Sequence, residues 1–288
     1  MSAVITGTAG RFWVDEQGAA HAEPAPMRAR SNGRFYVDAK GQEYWSVTTL
    51  LKAVPKDALV YWSAKEAAIF AVDNLERIQL VIGDGDGRDA AIDLIKNACW
   101  RNSAPKMNLG TLVHKVIESL VLDTELPTIE PDAARYVDQF LKFDSRFNPT
   151  WLASELPVYN RTRKYAGTLD LIGRVADRTL LIDIKTGKCR TDRAGNCLGP
   201  YPDVALQLAP YRYAEYTELA DGTQVAIPAV DGGAVLHLAP DHFTFVPVVC
   251  DEEIFDFFLH AVEMYRWLNE VSKTVVGEPI RPPLGIVR

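Results

Sequence analysis

The sequence has no apolar run approaching about 18 residues, the length that a membrane-spanning helix requires. Residues 1–7 have neither a basic start nor a long apolar core, so they do not predict a secretory signal. These two absences argue against a membrane protein and against a secreted one. We therefore expect a cytoplasmic protein with no membrane partner.

Cysteine is scarce and dispersed. The sequence contains no C-x-x-C, and its four cysteines are Cys99, Cys189, Cys197 and Cys250. This spacing favours free, reduced thiols. The sequence also lacks a P-loop, which argues against a helicase motor within this chain.

An excess of positive charge is also missing, since 31 Lys and Arg stand against 38 Asp and Glu, for a formal net charge of −7. Taken alone, this balance argues against nucleic acid as a partner. The distribution points the other way, because residues 160–195, the basic zone, hold nine Lys or Arg and four Asp, a net charge of +5, and leave −12 for the rest. Such a zone can bind a phosphate backbone, or it can be an ordinary solvated surface.

The rest of the composition is that of a globular protein. The 288 residues are 48% hydrophobic and 24% charged, which is enough apolar material for a substantial core. A chain of this length forms one large domain or two small ones.

The most informative stretch is residues 167–188, which predicts two strands joined by a tight turn at residues 176–179. Both strands are apolar except for Asp170 in the first and Asp183 and Lys185 in the second. Since side chains alternate across a strand, Asp183 and Lys185 should lie on one face, ~6.6 Å apart along the chain.

Two carboxylates in apolar strands are unfavourable unless another group compensates their charge. A divalent cation would compensate both, and hard oxygen ligands suit Mg²⁺ or Mn²⁺. The pattern therefore favours a site for metal-assisted hydrolysis, in which Lys185 either orients the attacking water or stabilises the charge of the transition state. The alternative is a buried ion pair, for example between Asp183 and Lys185, in a non-catalytic sheet.

These motifs resemble a known family. The sequences GTLD at 167–170 and DIK at 183–185 resemble motifs II and III of the PD-(D/E)XK nuclease superfamily, in its RecB-like exonuclease branch. That branch adds an upstream histidine and a Q-x-x-x-Y, which are similar to His114 and to Gln207 with Tyr211 in this sequence. The four elements occur in the family's order. The N-terminal WSVTTLL, starting at Trp45, also resembles phage-encoded members of this branch.

The resemblance implies roles for individual residues. Its metal ligands would be His114, Asp170, Asp183 and the backbone carbonyl of Ile184. Lys185 would act with the two aspartates in catalysis. The cofactor would be Mg²⁺ or Mn²⁺, and an imidazole ligand favours Mn²⁺. Side chains that would contact DNA are Gln207, Tyr211, Arg161, Arg163 and Lys188.

Some RecB-like exonucleases also carry a four-cysteine iron–sulfur cluster. Here the downstream cysteines are spread out, with Cys250 far beyond Cys197, which argues against such a cluster. The resemblance further implies DNA with free ends as the substrate, a helicase or recombinase as a partner, and the host cytoplasm as the location if the protein is phage-encoded.

Two side chains near these motifs allow more than one interpretation. His114 lies beside the apolar stripe of a helix, so it is either a metal ligand or a core histidine, and its place ahead of the two strands favours the ligand. Glu155, in a strand predicted at residues 151–159, either holds Lys185 or the metal as an accessory residue, or caps the edge of the sheet. Pro210 predicts a kink beside Tyr211, which would stack a base or lie in the core.

The order of helices and strands predicts an α/β fold with a central mixed β-sheet flanked by helices. The resemblance implies that this is the PD-(D/E)XK core, with an N-terminal, mainly helical elaboration. We predict N-terminal hairpins and helices over residues 1–105, the nuclease core over 106–273, and an extended tail over 274–288.

The leading hypothesis is a metal-dependent DNA exonuclease acting in DNA recombination, DNA repair or phage DNA processing. One alternative is a catalytically silent nucleic-acid-binding protein on the same fold. Another is a structure-specific endonuclease. The sequence does not distinguish the polarity of cleavage or the preferred strandedness of the DNA.

Overall fold

A computed structural model describes residues 13–14, 20–21, 27–30, 33–83, 87–188, 193–194, 199–219 and 222–280. The helices are α1 (Val47–Leu50), α2 (Asp57–Asp73), α3 (Leu75–Ile82), α4 (Gly87–Lys96), α5 (Ala98–Val121), α6 (Pro131–Phe147), α7 (Val204–Arg212) and α8 (Glu252–Asn269). Two short 3₁₀ turns span Leu51–Ala53 and Val271–Lys273.

Within the described residues, ten of the twelve strands form one sheet. They are β1 (Trp13–Val14), β2 (Ala20–His21), β3 (Met27–Arg30), β4 (Gly33–Val37), β5 (Glu43–Ser46), β6 (Thr150–Asn160), β7 (Tyr165–Val175), β8 (Arg178–Thr186), β11 (Gly232–Leu238) and β12 (Phe243–Val248). A separate pair consists of β9 (Thr217–Glu218) and β10 (Gln224–Val225).

The large sheet is mixed. Its main path runs β12-β11-β8-β7-β5-β4-β3, and β6 pairs along β7. Strand β8 is parallel to β11 and β5 is parallel to β7, whereas the β6–β7, β7–β8 and β11–β12 pairs are antiparallel. The parallel β8–β11 pair has α7 between its strands in the chain, as a crossover connection requires.

Helices cover both faces of the sheet. On one face, α5 and α6 pack their apolar side chains, including Val113 and Phe140, against Ile182 and Leu236. On the other face, α1, α7 and α8 pack against the remaining strand residues, including Leu169. The expected α/β fold with a central mixed sheet flanked by helices is confirmed.

The predicted central strand pair is also confirmed. Strands β7 and β8 meet at a tight turn in which Ala176 adopts a left-handed φ of 55°. Their pairing runs from Val175–Arg178 to Leu171–Ile182. Near the start of β7, its neighbour on the side of β8 is β5, which pairs with Tyr165 and Ala166. An opening therefore lies between β7 and β8 at the level of the predicted site.

The N-terminal part, predicted to pack on the core as part of one unit, shares the sheet of that core and one of its helices. The boundary at residue 105 falls inside α5, and β5 belongs to the same sheet as β7. Tyr44 is 1% exposed and Val47 is fully buried, so this part contributes to the core as well. Of the predicted tail, residues 281–288 lie outside the described residues.

Candidate metal centre and its surroundings

Three side chains converge at the opening between β7 and β8: His114 from α5, Glu155 from β6 and Asp170 from β7. One ligand atom from each lies within 4.8 Å of the others. His114 Nδ1 is 3.2 Å from Glu155 Oε1 and 3.9 Å from Asp170 Oδ1. An imidazole nitrogen and two carboxylate oxygens at this spacing are a donor set that suits Mn²⁺ or Mg²⁺.

The sheet register places the two carboxylates together. Ser154 is paired with Leu171 and Leu156 with Leu169, so Glu155 stands opposite Asp170 on the neighbouring strand. Residues opposite each other in an antiparallel pair have their side chains close. His114 reaches them because Val113, the residue before it, anchors α5 in the core on that face.

Glu155 adopts an unusual backbone conformation. Its φ is 47°, in the left-handed region, which costs ~1–2 kcal/mol for a residue with a side chain. The alternation of β6 breaks there, since Ala153 and Leu156 pack in the same core although they are three residues apart. An irregularity of this kind redirects a side chain, and here it accompanies the contact between Glu155 and His114.

The second oxygen of Asp170 holds the edge of the opening. Asp170 Oδ2 accepts a hydrogen bond of 2.7 Å from the backbone N–H of Ile184. The carboxylate therefore replaces a strand carbonyl at the point where β7 and β8 stop pairing. The ligand role expected for the Ile184 carbonyl remains a prediction, because the contact seen here involves the N–H.

Asp183 and Lys185 lie on one face of β8 and contact each other, as the alternation predicts. Lys185 Nζ is 2.9 Å from Asp183 Oδ1 and 2.8 Å from Oδ2, and 3.4 Å from Gln207 Oε1. Asp183 is only 2% exposed, and its Oδ2 has no hydrogen-bond partner of acceptable geometry. Among the described residues, Asp183 is not part of the group of three within 4.8 Å.

Burial and mutual charge shift the pKa values of the group. Burial opposes the charged imidazole of His114, but the hydrogen bond to Glu155 and the charges of Asp170 and Glu155 raise its pKa to about 9. Burial and the neighbouring charge of Asp183 raise the pKa of Asp170 to about 7. Burial also raises the pKa of Asp183, although Lys185 opposes that shift. In the metal-free protein, Asp170 and Asp183 are therefore harder to ionise than an exposed aspartate.

Helix α7 supports the site from the other face. The ring of Tyr211 is 5% exposed, and a Cβ on Gly167 would lie 2.3 Å from its Cε1. The glycine of the GTLD sequence thus makes room for this ring. The ring lies in the core and presents no open face on which a DNA base could stack, so the contact of Tyr211 with DNA stays a prediction.

Pro210 is accommodated near the end of α7. This helix ends at Arg212, so the proline affects only its last turn. The Pro210 carbonyl accepts a hydrogen bond of 2.9 Å from the Tyr165 hydroxyl. The predicted kink therefore does not displace Tyr211 from the core.

The predicted DNA contacts are not all near the centre. Gln207 touches Lys185, and Lys188 is exposed just after β8. Arg161 and Arg163 lie in the turn between β6 and β7, which begins six residues from Glu155. At the rise of a strand, that separation is ~20 Å. The structure does not bring these two arginines to the metal ligands.

Two residues near the site were missed by the sequence analysis. Asp203, just before α7, contributes a charge that raises the pKa of Asp183, and it is 3.1 Å from Lys56 Nζ in an ion pair. The aspartate directly after Pro202 is a typical residue for the start of a helix, and that signal locates it. No sequence pattern indicates Lys56.

The remaining expectations concern cysteines and membranes. Cys99 and Cys250 are buried free thiols, and Cys189 and Cys197 lie outside the described residues. Across the part of the chain that the structure describes, no helix combines the length and the apolar character needed to cross a bilayer.

The donor set fits a divalent cation. Asp183 presents a buried carboxylate that contacts Lys185, and Asp170 presents a largely buried carboxylate whose pKa is raised by burial and by the charge of Asp183. Such groups are stable together when a cation is bound, because it neutralises charges that burial would otherwise disfavour. The residues that would hold it are His114, Glu155 and Asp170, with Asp183 beside them.

Comparisons with known proteins add little. No protein-family model matches the sequence, and no curated protein is similar to it. Among solved structures, the crystal structure of SSO0001 is 17% identical, with a TM-score of 0.32, and the match covers 67% of this chain and 71% of that chain. A TM-score this low carries no argument about fold or function.

Proposed function

We propose that the protein is a Mg²⁺- or Mn²⁺-dependent exonuclease that hydrolyses phosphodiester bonds in DNA, on a PD-(D/E)XK fold of the RecB-like branch. The observation that carries this proposal is the convergence of His114, Glu155 and Asp170 beside the ion pair of the buried Asp183 with the partly exposed Lys185. The resemblance of the sequence motifs to that branch supports the same chemistry.

The side chains have separable tasks. Lys185 is held by Asp183 and lies 3.4 Å from Gln207, and its side chain is 42% exposed, so its ammonium group can orient a water at the opening. Glu155 holds the imidazole of His114. A divalent cation bound there would supply positive charge to a phosphoryl oxygen and acidify a water.

The proposal is tested with DNA labelled at one end, single-stranded and double-stranded, incubated with Mg²⁺, Mn²⁺ or EDTA. We expect release of nucleotides from the ends in Mn²⁺ and none in EDTA. Asp183→Asn and Lys185→Ala should each reduce the rate by at least ~100-fold while the melting temperature shows a folded protein. Lys142→Ala, an exposed change on α6, is the matched control and should not alter the rate.

Each other outcome has a defined meaning. Cleavage of covalently closed circular DNA would show an endonuclease instead. Binding of DNA in EDTA, without turnover of any DNA substrate in Mn²⁺, would show the catalytically silent alternative. Full activity in highly purified Asp183→Asn protein would contradict the assignment of this site.

A further inference from the structure

The turn between β6 and β7, residues 161–164, is called the basic turn below. Its sequence is Arg161-Thr162-Arg163-Lys164, and all four residues are exposed. Three cations within four residues repel one another, and such a concentration of charge is favourable when an anion is bound. Within the described residues, neither Arg163 nor Lys164 forms an ion pair with a carboxylate.

The backbone of the basic turn is held firmly. Glu215 accepts hydrogen bonds of 3.0 and 3.1 Å from the N–H groups of Arg161 and Thr162. Asn160 Oδ1 accepts a bond of 2.7 Å from the Arg163 N–H. The carboxylate of Glu215 is thus directed at the backbone of the turn. These bonds fix the backbone from which the three cationic side chains extend.

Arg161 and Lys164 both lie against aromatic rings, and Lys164 Nζ is 5.8 Å from the centroid of the Tyr44 ring. Arg161 has the more extensive contacts. Its guanidinium lies 4.9 Å above the ring of Tyr216 and bonds to Gln224. Arg161 therefore has a structural role at the base of the turn. Arg163 and Lys164 are exposed and have no carboxylate partner among the described residues, so both can contact an external anion, Lys164 from its position over the Tyr44 ring.

The basic turn lies directly before β7, the strand that carries Asp170 of the candidate metal centre. Strand β7 runs from the turn to Asp170, and β8 is antiparallel to β7. The chain after Asp183 therefore proceeds toward the turn, and Lys185 and then Lys188 follow in that direction. From Lys164 to Asp170 there are six residues of strand, or ~20 Å.

We propose that the basic turn is a second phosphate-contact surface, which binds the DNA backbone ~20 Å from the bond that is cleaved. This inference rests on the proposed function for the identity of the ligand. At about 3.4 Å per base pair, the distance corresponds to about six base pairs of duplex. Substrates shorter than this cannot occupy the centre and the turn together, whereas longer ones can.

The test measures binding without cleavage, in EDTA. Fluorescence anisotropy would compare labelled hairpin duplexes of about 4 and about 12 base pairs at several NaCl concentrations, chosen to lie on either side of the ~20 Å span. The variant is Arg163→Gln with Lys164→Gln, and the charge-matched control is Lys142→Gln with Arg146→Gln on α6. Melting temperatures establish that each variant is folded.

Removing two phosphate contacts should lower the slope of log affinity against log salt by about 2 on the long duplex. At low salt, affinity for that duplex should fall about 10-fold, while the short duplex and the control variant show no change. Arg163→Gln alone, which leaves the left-handed residue Lys164 in place, should lower the slope by about 1.

Three results would overturn the inference: unchanged slopes on the long duplex, an equal loss on both duplexes, or no binding of either duplex by the unsubstituted protein. Failure of the proposed function is seen separately, as absence of cleavage in Mn²⁺. A protein that cleaves DNA but shows unchanged slopes retains the function and loses the basic turn. A protein that shows the length-dependent loss of affinity but does not cleave DNA retains the basic turn as a DNA contact and contradicts the proposed function.

Discussion

At the scale of single residues, Glu155 shows how the site is assembled. A glutamate in a buried strand is unfavourable, and so is its left-handed backbone with a φ of 47°. Both features are explained by its contacts, since the carboxylate bonds to His114 and faces Asp170 across the β6–β7 pair. Strain of this kind is typical of sites that perform chemistry.

The first prediction concerns the charge of Glu155. Glu155→Gln keeps the size of the side chain but removes the charge that favours the imidazolium form of His114. The pKa of His114, raised to about 9, should fall by about one unit or more in metal-free protein. NMR titration of the ring protons in EDTA measures it.

Asp138→Asn, an exposed change on α6, is the control for that titration and should leave the His114 pKa unchanged. An unaltered pKa in Glu155→Gln would contradict the hydrogen bond between these side chains. Manganese affinity, measured by calorimetry on the same variant, should fall at least ~10-fold, because the change replaces one of the three candidate carboxylate and imidazole ligands by a neutral amide.

The second prediction concerns the pH dependence of stability. The folded-state pKa of Asp170, about 7, lies above its ordinary value of 3.8, so the folded protein binds this proton more tightly than the unfolded chain. The resulting stabilisation is complete below 3.8 and is lost as the pH rises through about 7. Metal-free protein should therefore be destabilised by this carboxylate at pH values above about 7.

Asp170→Asn removes that effect and keeps an acceptor for the Ile184 N–H. In urea unfolding with EDTA at alkaline pH, the free energy of unfolding of the variant should be higher than that of the unsubstituted protein by on the order of 1 kcal/mol. The advantage should shrink as the pH is lowered below about 7. A variant that is less stable by the same amount at every pH would refute the raised pKa.

At the scale of secondary structure, α7 and β7 are fitted to each other. Gly167 leaves space that the Tyr211 ring fills, and the same helix carries Gln207 to Lys185. The contact between Gly167 and Tyr211, together with the surrounding core, therefore holds α7 against the site. Strand β7 is also connected to β4, since the Tyr36 hydroxyl is 2.9 Å from the Thr168 hydroxyl.

The third prediction tests this fit. Gly167→Ala would place a Cβ 2.3 Å from a ring carbon of Tyr211, so the helix or the ring must shift. Overpacking of this kind should destabilise the protein by ~1–3 kcal/mol in chemical unfolding. Cleavage should weaken as well, because Gln207 would move relative to Lys185.

Gly277→Ala is the matched control, since no atom lies within 4 Å of its added Cβ. Its effect should stay within ~0.5 kcal/mol. Combining Gly167→Ala with Tyr211→Leu should cost less than the sum of the two single changes, because the smaller side chain leaves room for the added methyl group. Strict additivity would show that the two residues are not coupled.

At the scale of the whole molecule, the N-terminal strands and the strands that carry Asp170 and Asp183 share one sheet and one core. Strand β5 pairs with β7 beside the site, and Leu50 in α1 is 2% exposed in the core that also contains Tyr211. Helix α5 carries His114 and begins at Ala98, before the predicted boundary. The predicted core therefore depends on residues outside 106–273.

The fourth prediction follows from that shared core. A chain that begins at residue 47 lacks β1 to β5 and leaves one side of β7 without its partner at Tyr165 and Ala166. We expect loss of the cooperative thermal transition and of near-ultraviolet circular dichroism. A chain covering residues 106–273 should fail in the same way. A sharp transition in either would show an independent domain.

Much of this protein is determined by its sequence alone. The apolar runs with single charges locate β7 and β8, and the apolar periodicity with proline at its start locates α6, because these signals depend on neighbouring residues only. Alternation along β8 likewise places Asp183 beside Lys185. The mixed sheet between helices also follows from the order of these segments.

Only the tertiary structure decides which distant residues meet. The role of Glu155 depends on a local φ and on the β6–β7 register, and neither is encoded in a short pattern. The extended backbone of β7 separates Arg163 from Asp170, although both fall in the basic zone. Tyr211 is buried because Gly167 lies under it across the sheet. Local periodicity sets each element, whereas packing and register between elements set the site.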